Sequence, residues 1–182
     1  MKSMKNLRRQ PVALPLLADD VVEFHAARLV LLLKLCGTKG RINGLTKMAK
    51  LDFFVRYPQF FSVVCEALGK EVEILPDVVE SSMVRYHYGP WDQRYYHVLA
   101  YLESRGLLEV AREGAAFELA LTSLGEKTAT QLEKDPAFAQ LVRQMRQVRK
   151  VLGAKSGSKL KKLVYETFDR EVAQLSLGEV IK

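Results

Sequence analysis

Residues 107–121, which read LLEVAREGAAFELAL, decide the fold. Two apolar-rich runs, residues 107–112 and 117–121, flank the pair Glu113-Gly114. Apolar runs of this length that are separated by a glycine-containing turn are typical of a β-hairpin. The stretch therefore predicts two antiparallel strands with their turn at the glycine.

The segments on either side of this hairpin are predicted to be helical. Residues 91–104 place apolar side chains on one helical face, and Gly106 provides a stop signal. Beyond the hairpin, Thr122 or Ser123 can cap a further helix, and Glu126 follows Ser123 by three residues, as in a capping box. The hairpin is thus expected to connect two helices.

The first half of the chain is also mainly helical in pattern, with very short strands. Apolar residues recur at helical spacing or fill whole turns, and glycine and proline mark the ends of the segments. The predicted elements are a core helix from Asp19 or Asp20 to about Cys36, stopped by Gly37; a strand at 41–42; helices at 45–57 and 60–68; a break at Pro76-Asp77; and a strand at 83–88 that Gly89-Pro90 terminates.

The order of these elements defines the expected fold class. The predicted order is helix, short strand, helix, insertion, helix, hairpin and helix. This is the order of a winged helix, in which a hairpin closes a three-helix core. We predict a mainly α protein with a small β-hairpin (α+β): a winged helix-turn-helix core with an insertion and a C-terminal helical extension. The expected domains are a basic N-terminal arm (1–18), a winged-helix domain (19–135) and a basic C-terminal helical extension (136–182).

Composition restricts the function classes. With 28 basic and 21 acidic side chains, the 182-residue chain has a net charge of +7, which favours an anionic partner. Cys36 and Cys65 lie in apolar stretches without metal-ligand spacing, so we expect a reducing compartment and neither a metal nor a cofactor. No apolar run is long enough to cross a membrane or to form a signal peptide, and we expect a cytoplasmic protein.

Catalytic motifs are hard to find in this sequence. A phosphate-binding loop, a nucleophile elbow and a zinc-protease helix motif are all missing. A dense polar-aromatic cluster allows three hypotheses: a His87 or His97 general base oriented by Asp92, tyrosines that fill a strand–helix corner with their hydroxyls in solvent, or a contact surface without catalysis. We favour a non-catalytic role, and we predict a contact surface. Its predicted protein-binding residues are Tyr86, His87, Tyr88, Trp91, Arg94 and Tyr95.

Asp52 is a second candidate polar residue, because it lies among apolar positions of a predicted helix. A partly buried carboxylate in such a place usually pairs with a base, and Arg56 follows it at helical i+4 spacing. We predict a structural ion pair here rather than a catalytic acid.

Residues 136–165 contain many bases and no acid. Such a segment can neutralise DNA phosphates without reading sequence, lie against an acidic protein or form a solvated face. The predicted nucleic-acid-binding residues are Arg143, Arg146, Arg149, Lys150, Lys159, Lys161 and Lys162. The helix before the hairpin carries Asp92 and several aromatic residues, which is unfavourable for reading the major groove.

Three stretches together resemble a known family: residues 45–58 (LTKMAKLDFFVRYP), 83–92 (MVRYHYGPWD) and the hairpin region 102–122. They are similar to the small middle component of bacterial ABC-three-component systems, the SMC-like ATPase defence operons that include Lamassu. The Tyr-Gly-Pro step also resembles phage-associated and toxin–antitoxin winged-helix proteins. The resemblance covers about half the chain.

The resemblance implies a non-catalytic adaptor in antiviral defence, bound to an SMC-like ABC ATPase and to an effector such as a nuclease, with non-specific DNA contact as a further expectation. It transfers no catalytic residue. An alternative is a DNA-binding winged-helix transcriptional regulator. A third hypothesis is an enzyme that uses His87, Asp92 and His97.

Overall fold

The computed structural model describes residues 21–73, 83–113 and 116–181. The predicted N-terminal arm, the Asp19 or Asp20 cap, the Pro76-Asp77 break and the hairpin turn at Gly114 lie outside the described residues. The protein is mainly helical, with a small antiparallel sheet, as the sequence predicts.

Each of the described α-helices is ten to fifteen residues long. They are α1 (Val22–Cys36), α2 (Leu45–Arg56), α3 (Pro58–Ala67), α4 (Tyr95–Ser104), α5 (Ser123–Lys134), α6 (Ala139–Leu152) and α7 (Gly157–Thr167). The strands are β1 (Arg41–Asn43), β2 (Val84–Tyr86), β3 (Gly89–Trp91), β4 (Leu108–Glu113) and β5 (Ala116–Leu121). A 3-10 turn (Pro136–Phe138) precedes α6, and a π-helical turn (Asp169–Ala173) follows α7.

Helix α1 forms the centre of the core because its sequence leaves almost no polar face. Leu29 and the run 30–33 are fully buried or nearly so. Helices α2, α4, α5 and α6 all pack against α1. The buried side chains of α6 and α7, such as Met145 and Val164, belong to the same core cluster. The segment predicted as a C-terminal extension therefore packs on α1 and α2.

The predicted hairpin forms and joins the first short strand in one sheet. The strand order is β1–β5–β4, and all neighbours are antiparallel. Leu119 of β5 lies opposite Ile42 on one side and Val110 on the other. Since Ile42 and Leu119 are both buried, the sheet closes the core on this side.

The region around Gly89 differs from the sequence prediction. Gly89-Pro90 does not end a strand; it begins β3, which pairs with β2 so that Trp91 lies opposite Val84. Gly89 adopts φ +95°, a value that glycine reaches without strain. Because Trp91 is part of this second hairpin, the following helix begins at Tyr95 rather than at residue 91.

One helix start also differs from the prediction. Helix α3 begins at Pro58, two residues earlier than expected, because proline fits the first turn, where its missing N–H has no helical partner. Helix α7 ends at Thr167, and the chain continues as a π-helical turn.

The N-terminus of α5 is capped by Thr122. Its Oγ1 accepts a hydrogen bond from the Gly125 N–H at 3.0 Å and donates one to the Gly106 carbonyl at 2.6 Å. Glu126, predicted as part of a capping box with Ser123, extends instead towards Lys34 Nζ, 3.3 Å away.

No helix in the described ranges is both long enough and apolar enough to span a membrane.

The cap assignment predicts the effect of two neighbouring substitutions. Thr122→Ala should lower the free energy of unfolding by about 1–2 kcal/mol, because it removes the cap of α5. Ser123→Ala should change it by less than about 0.5 kcal/mol, as expected for an exposed position without a special contact. Urea denaturation of both variants measures the difference. A larger loss for Ser123→Ala would show that Ser123 is the cap.

Candidate partner-binding surface

The β2–β3 hairpin and the start of α4 present a cluster of exposed aromatic rings. Tyr86, Tyr88 and Tyr96 are 44%, 57% and 62% exposed. Trp91, the single tryptophan of the chain, lies between them: its ring stacks on Tyr86 at 5.9 Å and lies 5.7 Å from Tyr96. Exposed aromatic residues that support one another in this way are typical of interaction surfaces.

These rings line a groove of about 260 Å³ between the hairpin, the N-terminus of α2 and strand β5. We call it the aromatic groove. Its lining residues are Gly44, Leu45, Thr46, Tyr86, Tyr88, Trp91, Tyr96 and Phe117. None of these side chains carries a charge, so the groove offers a mostly apolar contact area with tyrosine hydroxyls at its margin.

Two lysines attach the hairpin to the helical core. Lys50 of α2 is buried, and its Nζ donates a hydrogen bond to the Pro90 carbonyl at 2.9 Å. Lys161 of α7 places its Nζ 4.7 Å from the centre of the Tyr88 ring, within cation–π distance. The turn residue Tyr88 and the strand residue Pro90 are thus held against α7 and α2.

Burial lowers the pKa of Lys50 to about 7, and the nearby positive charge of Lys161 acts in the same direction. A buried ammonium group loses hydration that one carbonyl oxygen does not replace. Lys50 therefore titrates near neutral pH, and its Nζ is the group that donates the hydrogen bond to the Pro90 carbonyl.

The C-terminal residues complete the hairpin by adding a third extended segment. The Arg85 N–H donates to the Glu179 carbonyl, and the Gly178 N–H donates to the Arg85 carbonyl, at 2.8 and 2.7 Å. The Ile181 N–H donates to the Met83 carbonyl at 2.9 Å. Ile181 is fully buried. This segment covers the outer edge of β2 and supports the hairpin from the side away from β3.

A buried ion-pair network joins α1, α2 and the turn that precedes α4. Arg28 Nε donates to Asp52 Oδ1 at 2.9 Å, and the Tyr95 hydroxyl donates to Asp52 Oδ2 at 2.7 Å. Arg56 lies 3.8 Å from the same carboxylate and 2.7 Å from Asp92 Oδ2. The predicted ion pair between Asp52 and Arg56 is present, with Arg28 as the nearer partner of Asp52.

Arg94 closes the network at the surface. It forms two side-chain hydrogen bonds to Asp92, at 2.9 and 2.7 Å, and its backbone N–H donates to the same carboxylate. The guanidinium groups of Arg94 and Arg28 also lie 2.9 and 3.0 Å from the two ring nitrogens of His25. His25 therefore connects the two halves of the network.

The charges of this network are fixed by their neighbours. Burial favours the neutral form of Asp92, but hydrogen bonds from Arg94 and the charge of Arg56 outweigh it and hold the pKa of Asp92 well below its usual range. Burial and the adjacent Asp52 carboxylate raise the pKa of Tyr95 well above its usual value. Asp92 stays ionised, and Tyr95 stays a hydrogen-bond donor.

The structure brings most of the predicted protein-binding residues together. Tyr86, His87 and Tyr88 are exposed on the hairpin, and Trp91 is partly exposed beside them. Two of the predicted residues are not available at the surface in the same way. Tyr95 packs edge-on against Trp91 at 5.0 Å but is only 1% exposed, and its hydroxyl donates to Asp52. The Arg94 side chain is bound to Asp92.

The predicted nucleic-acid-binding residues are spread over α6 and α7, and many already have protein partners. Arg143, Arg146 and Lys162 form ion pairs with Glu73, Glu133 and Glu166. The remaining four differ in their surroundings: Arg149 donates to the Cys36 carbonyl, Lys161 contacts Tyr88, and Lys150 and Lys159 are exposed.

The catalytic hypothesis required Asp92 to orient a histidine. In the described part of the chain, the side-chain partners of the Asp92 carboxylate are Arg56 and Arg94, while His87 and His97 are exposed. Among these same residues, no group of three or more His, Cys, Asp or Glu side chains could hold a metal ion.

Sequence reasoning missed part of the aromatic groove. Phe117 of β5 and Leu45 of α2 line it but are far from the hairpin in sequence, so only the folded chain brings them together. Tyr96 also lines the groove and was not among the predicted contact residues; its position on α4, one residue after the buried Tyr95, is the signal that could have identified it as exposed.

No family model matches this chain, and neither a curated protein nor a solved structure matches it.

Replacing Asp52 tests the importance of the network. Asp52→Asn should lower the free energy of unfolding by about 3–5 kcal/mol, because it removes the carboxylate that faces Arg28 in the interior. Glu166→Gln, in an exposed ion pair with Lys162, should cost less than about 1 kcal/mol. Urea denaturation measures both. Equal effects would contradict a structural role for the network.

Lys50 should make stability depend on pH. Its pKa rises from about 7 in the folded chain to its ordinary 10.5 on unfolding, so the unfolded chain binds more protons between these values. The free energy of unfolding should therefore rise with pH in this interval, by roughly 1 kcal/mol per unit from this group. Lys50→Met should remove that part of the slope. If the free energy of unfolding depends on pH in the same way in the unaltered chain and in Lys50→Met, the pKa of Lys50 is not lowered in the folded chain.

Proposed function

We propose that this protein is a non-catalytic adaptor that binds a partner protein through the aromatic groove. The observation that carries the proposal is the exposure of Tyr86, Tyr88 and Tyr96 around Trp91 on a rigidly held hairpin. Large aromatic side chains provide much of the binding energy at protein interfaces, and a fixed backbone reduces the entropy lost on binding.

The proposed scaffold is a winged helix. Support comes from the element order α1–β1–α2, then α4–β4–β5, together with the sheet order β1–β5–β4. In this proposal α3 and the β2–β3 hairpin are the insertion between the second and third helices of the core. The aromatic groove is then formed by the insertion, the second helix and the wing.

The proposed partner is an SMC-like ABC ATPase, with an effector such as a nuclease as a second partner. This part of the proposal rests on the resemblance of residues 45–58, 83–92 and 102–122 to the middle component of ABC-three-component defence systems. The structure adds that the second of these stretches forms the hairpin wall of the groove.

The surface of α4 favours the adaptor over a regulator that reads DNA sequence. Its exposed side chains include Tyr96, His97 and Glu103, and the arginine nearest its N-terminus, Arg94, is bound to Asp92. A helix that enters the major groove usually presents arginine, lysine, asparagine or glutamine to the bases. Tight, sequence-specific binding of a homodimer to a palindromic operator would favour the regulator instead.

Co-purification tests the adaptor proposal. The full chain should be produced together with the proteins encoded beside it, and an SMC-like ATPase should co-purify. Tyr86→Ser with Tyr96→Ser should weaken this complex about tenfold or more, because it removes two of the aromatic contacts. Binding of the purified partners can be measured by calorimetry.

Leu124→Ser is the matched control, because Leu124 is 53% exposed on α5, outside the groove. It should leave the affinity unchanged. If an ATPase binds equally well to the double tyrosine variant, the groove is not the docking surface. If no such ATPase binds the unaltered chain, the proposed partner is wrong.

A further inference from the structure

The turn between α1 and β1 holds a lysine in an unfavourable backbone conformation. Thr38 and Arg41 exchange backbone hydrogen bonds of 2.8 and 3.2 Å across a two-residue turn. Both turn residues, Lys39 and Gly40, are left-handed, with φ +52° and +70°. Lys39 is the one non-glycine residue with positive φ in the described ranges. Such turns prefer Asn, Asp or Gly, so a lysine at this position makes the turn less stable than one of those residues would.

Lys39 lines an open depression, which we call the cationic depression. Its lining residues are Thr38, Lys39, Arg41, Asn43, Lys47 and Glu118. Arg41 is paired with Glu118 at 3.3 Å, whereas Lys39 and Lys47 form no salt bridge with any residue that the structure describes. The depression therefore contains three cations and one carboxylate.

Further positive charge lies behind Lys47. Lys47 Nζ donates to the Gly153 carbonyl at 2.9 Å, and Arg149 donates to the same oxygen at 3.4 Å. Burial and the charge of Arg149 lower the pKa of Lys47. Carbonyl oxygens solvate these cations without neutralising them, so a positive potential extends into the depression.

We infer that the cationic depression binds the phosphodiester backbone of nucleic acid, with Lys39 and Lys47 facing the phosphates. An anionic ligand is favoured because the walls are polar and cationic and lack the aromatic rings of the neighbouring groove. The net charge of +7 favours a polyanion. A lysine at this strained turn position can reach a phosphate, which is a contact that Asn or Gly cannot make.

This inference does not depend on the proposed adaptor role, because no lining residue is shared between the cationic depression and the aromatic groove. It also differs from the sequence prediction, which placed DNA contacts on α6 and α7. Three of those predicted bases, Arg143, Arg146 and Lys162, are paired with acidic side chains.

The test uses the full chain and two probes, a fluorescein-labelled DNA duplex of about two helical turns and an oligothymidylate of the same length. Fluorescence anisotropy gives the dissociation constant between about 50 and 200 mM salt. The variant is Lys39→Asn with Lys47→Gln, which removes two charges. Asn suits the left-handed turn, and Gln keeps a donor for the Gly153 carbonyl.

For the duplex, the logarithm of the association constant should fall less steeply with the logarithm of the salt concentration in the double variant. The slope should become less negative by about 1.8, or about 0.9 per lost contact. The melting temperature of the double variant should stay the same or rise, because the strained lysine is gone. Loss of binding without loss of stability separates a ligand contact from a folding defect. If oligothymidylate depends more strongly on the same two residues, the backbone recognised is that of single strands.

Arg146→Gln with Lys162→Gln is the matched control, since it removes the same net charge from α6 and α7. It should keep the slope of the unaltered chain. An unchanged slope in the Lys39 and Lys47 variant, or an equal loss in the control, would overturn the inference. So would the lack of salt-dependent binding by the unaltered chain.

Discussion

The ion pairs that Asp52 and Asp92 form with Arg28, Arg56 and Arg94 are the interaction on which the rest of the structure depends. They connect α1 and α2 to the turn where β3 becomes α4. A buried ion pair adds little net stability, but it is costly to break and it admits few alternative arrangements. The network therefore fixes the position of the β2–β3 hairpin more than it stabilises the chain. Lys50 and the C-terminal segment then hold the hairpin from two further sides.

Two chemically different surfaces both include residues of the junction between β1 and α2. Gly44, Leu45 and Thr46 belong to the aromatic groove, whereas Asn43 and Lys47 belong to the cationic depression. The proposed adaptor would bind a protein at the aromatic groove and a nucleic-acid backbone at the cationic depression. The two proposals are separable, because each surface can be altered without changing the lining of the other.

The sequence predicts most of the fold, because local patterns specify most of its elements. The apolar run of α1 and the two runs around Gly114 identify the core helix and the hairpin. Interactions between distant residues were harder to predict. The pairing of Trp91 with Val84 depends on a glycine turn, and the Asp52 contacts depend on Arg28 from another helix. The candidate surface was predicted in part, since exposure of Tyr86 and burial of Tyr95 are decided by tertiary packing.

The central claim is that residues 84–96 form the face that meets a partner. Hydrogen–deuterium exchange of the full chain, alone and in complex with the co-purified ATPase, tests it most directly. The account predicts slower exchange in the complex at the β2–β3 hairpin and the first turn of α4, with α5 unchanged. Slower exchange confined to α5, with no change at the hairpin, would contradict it.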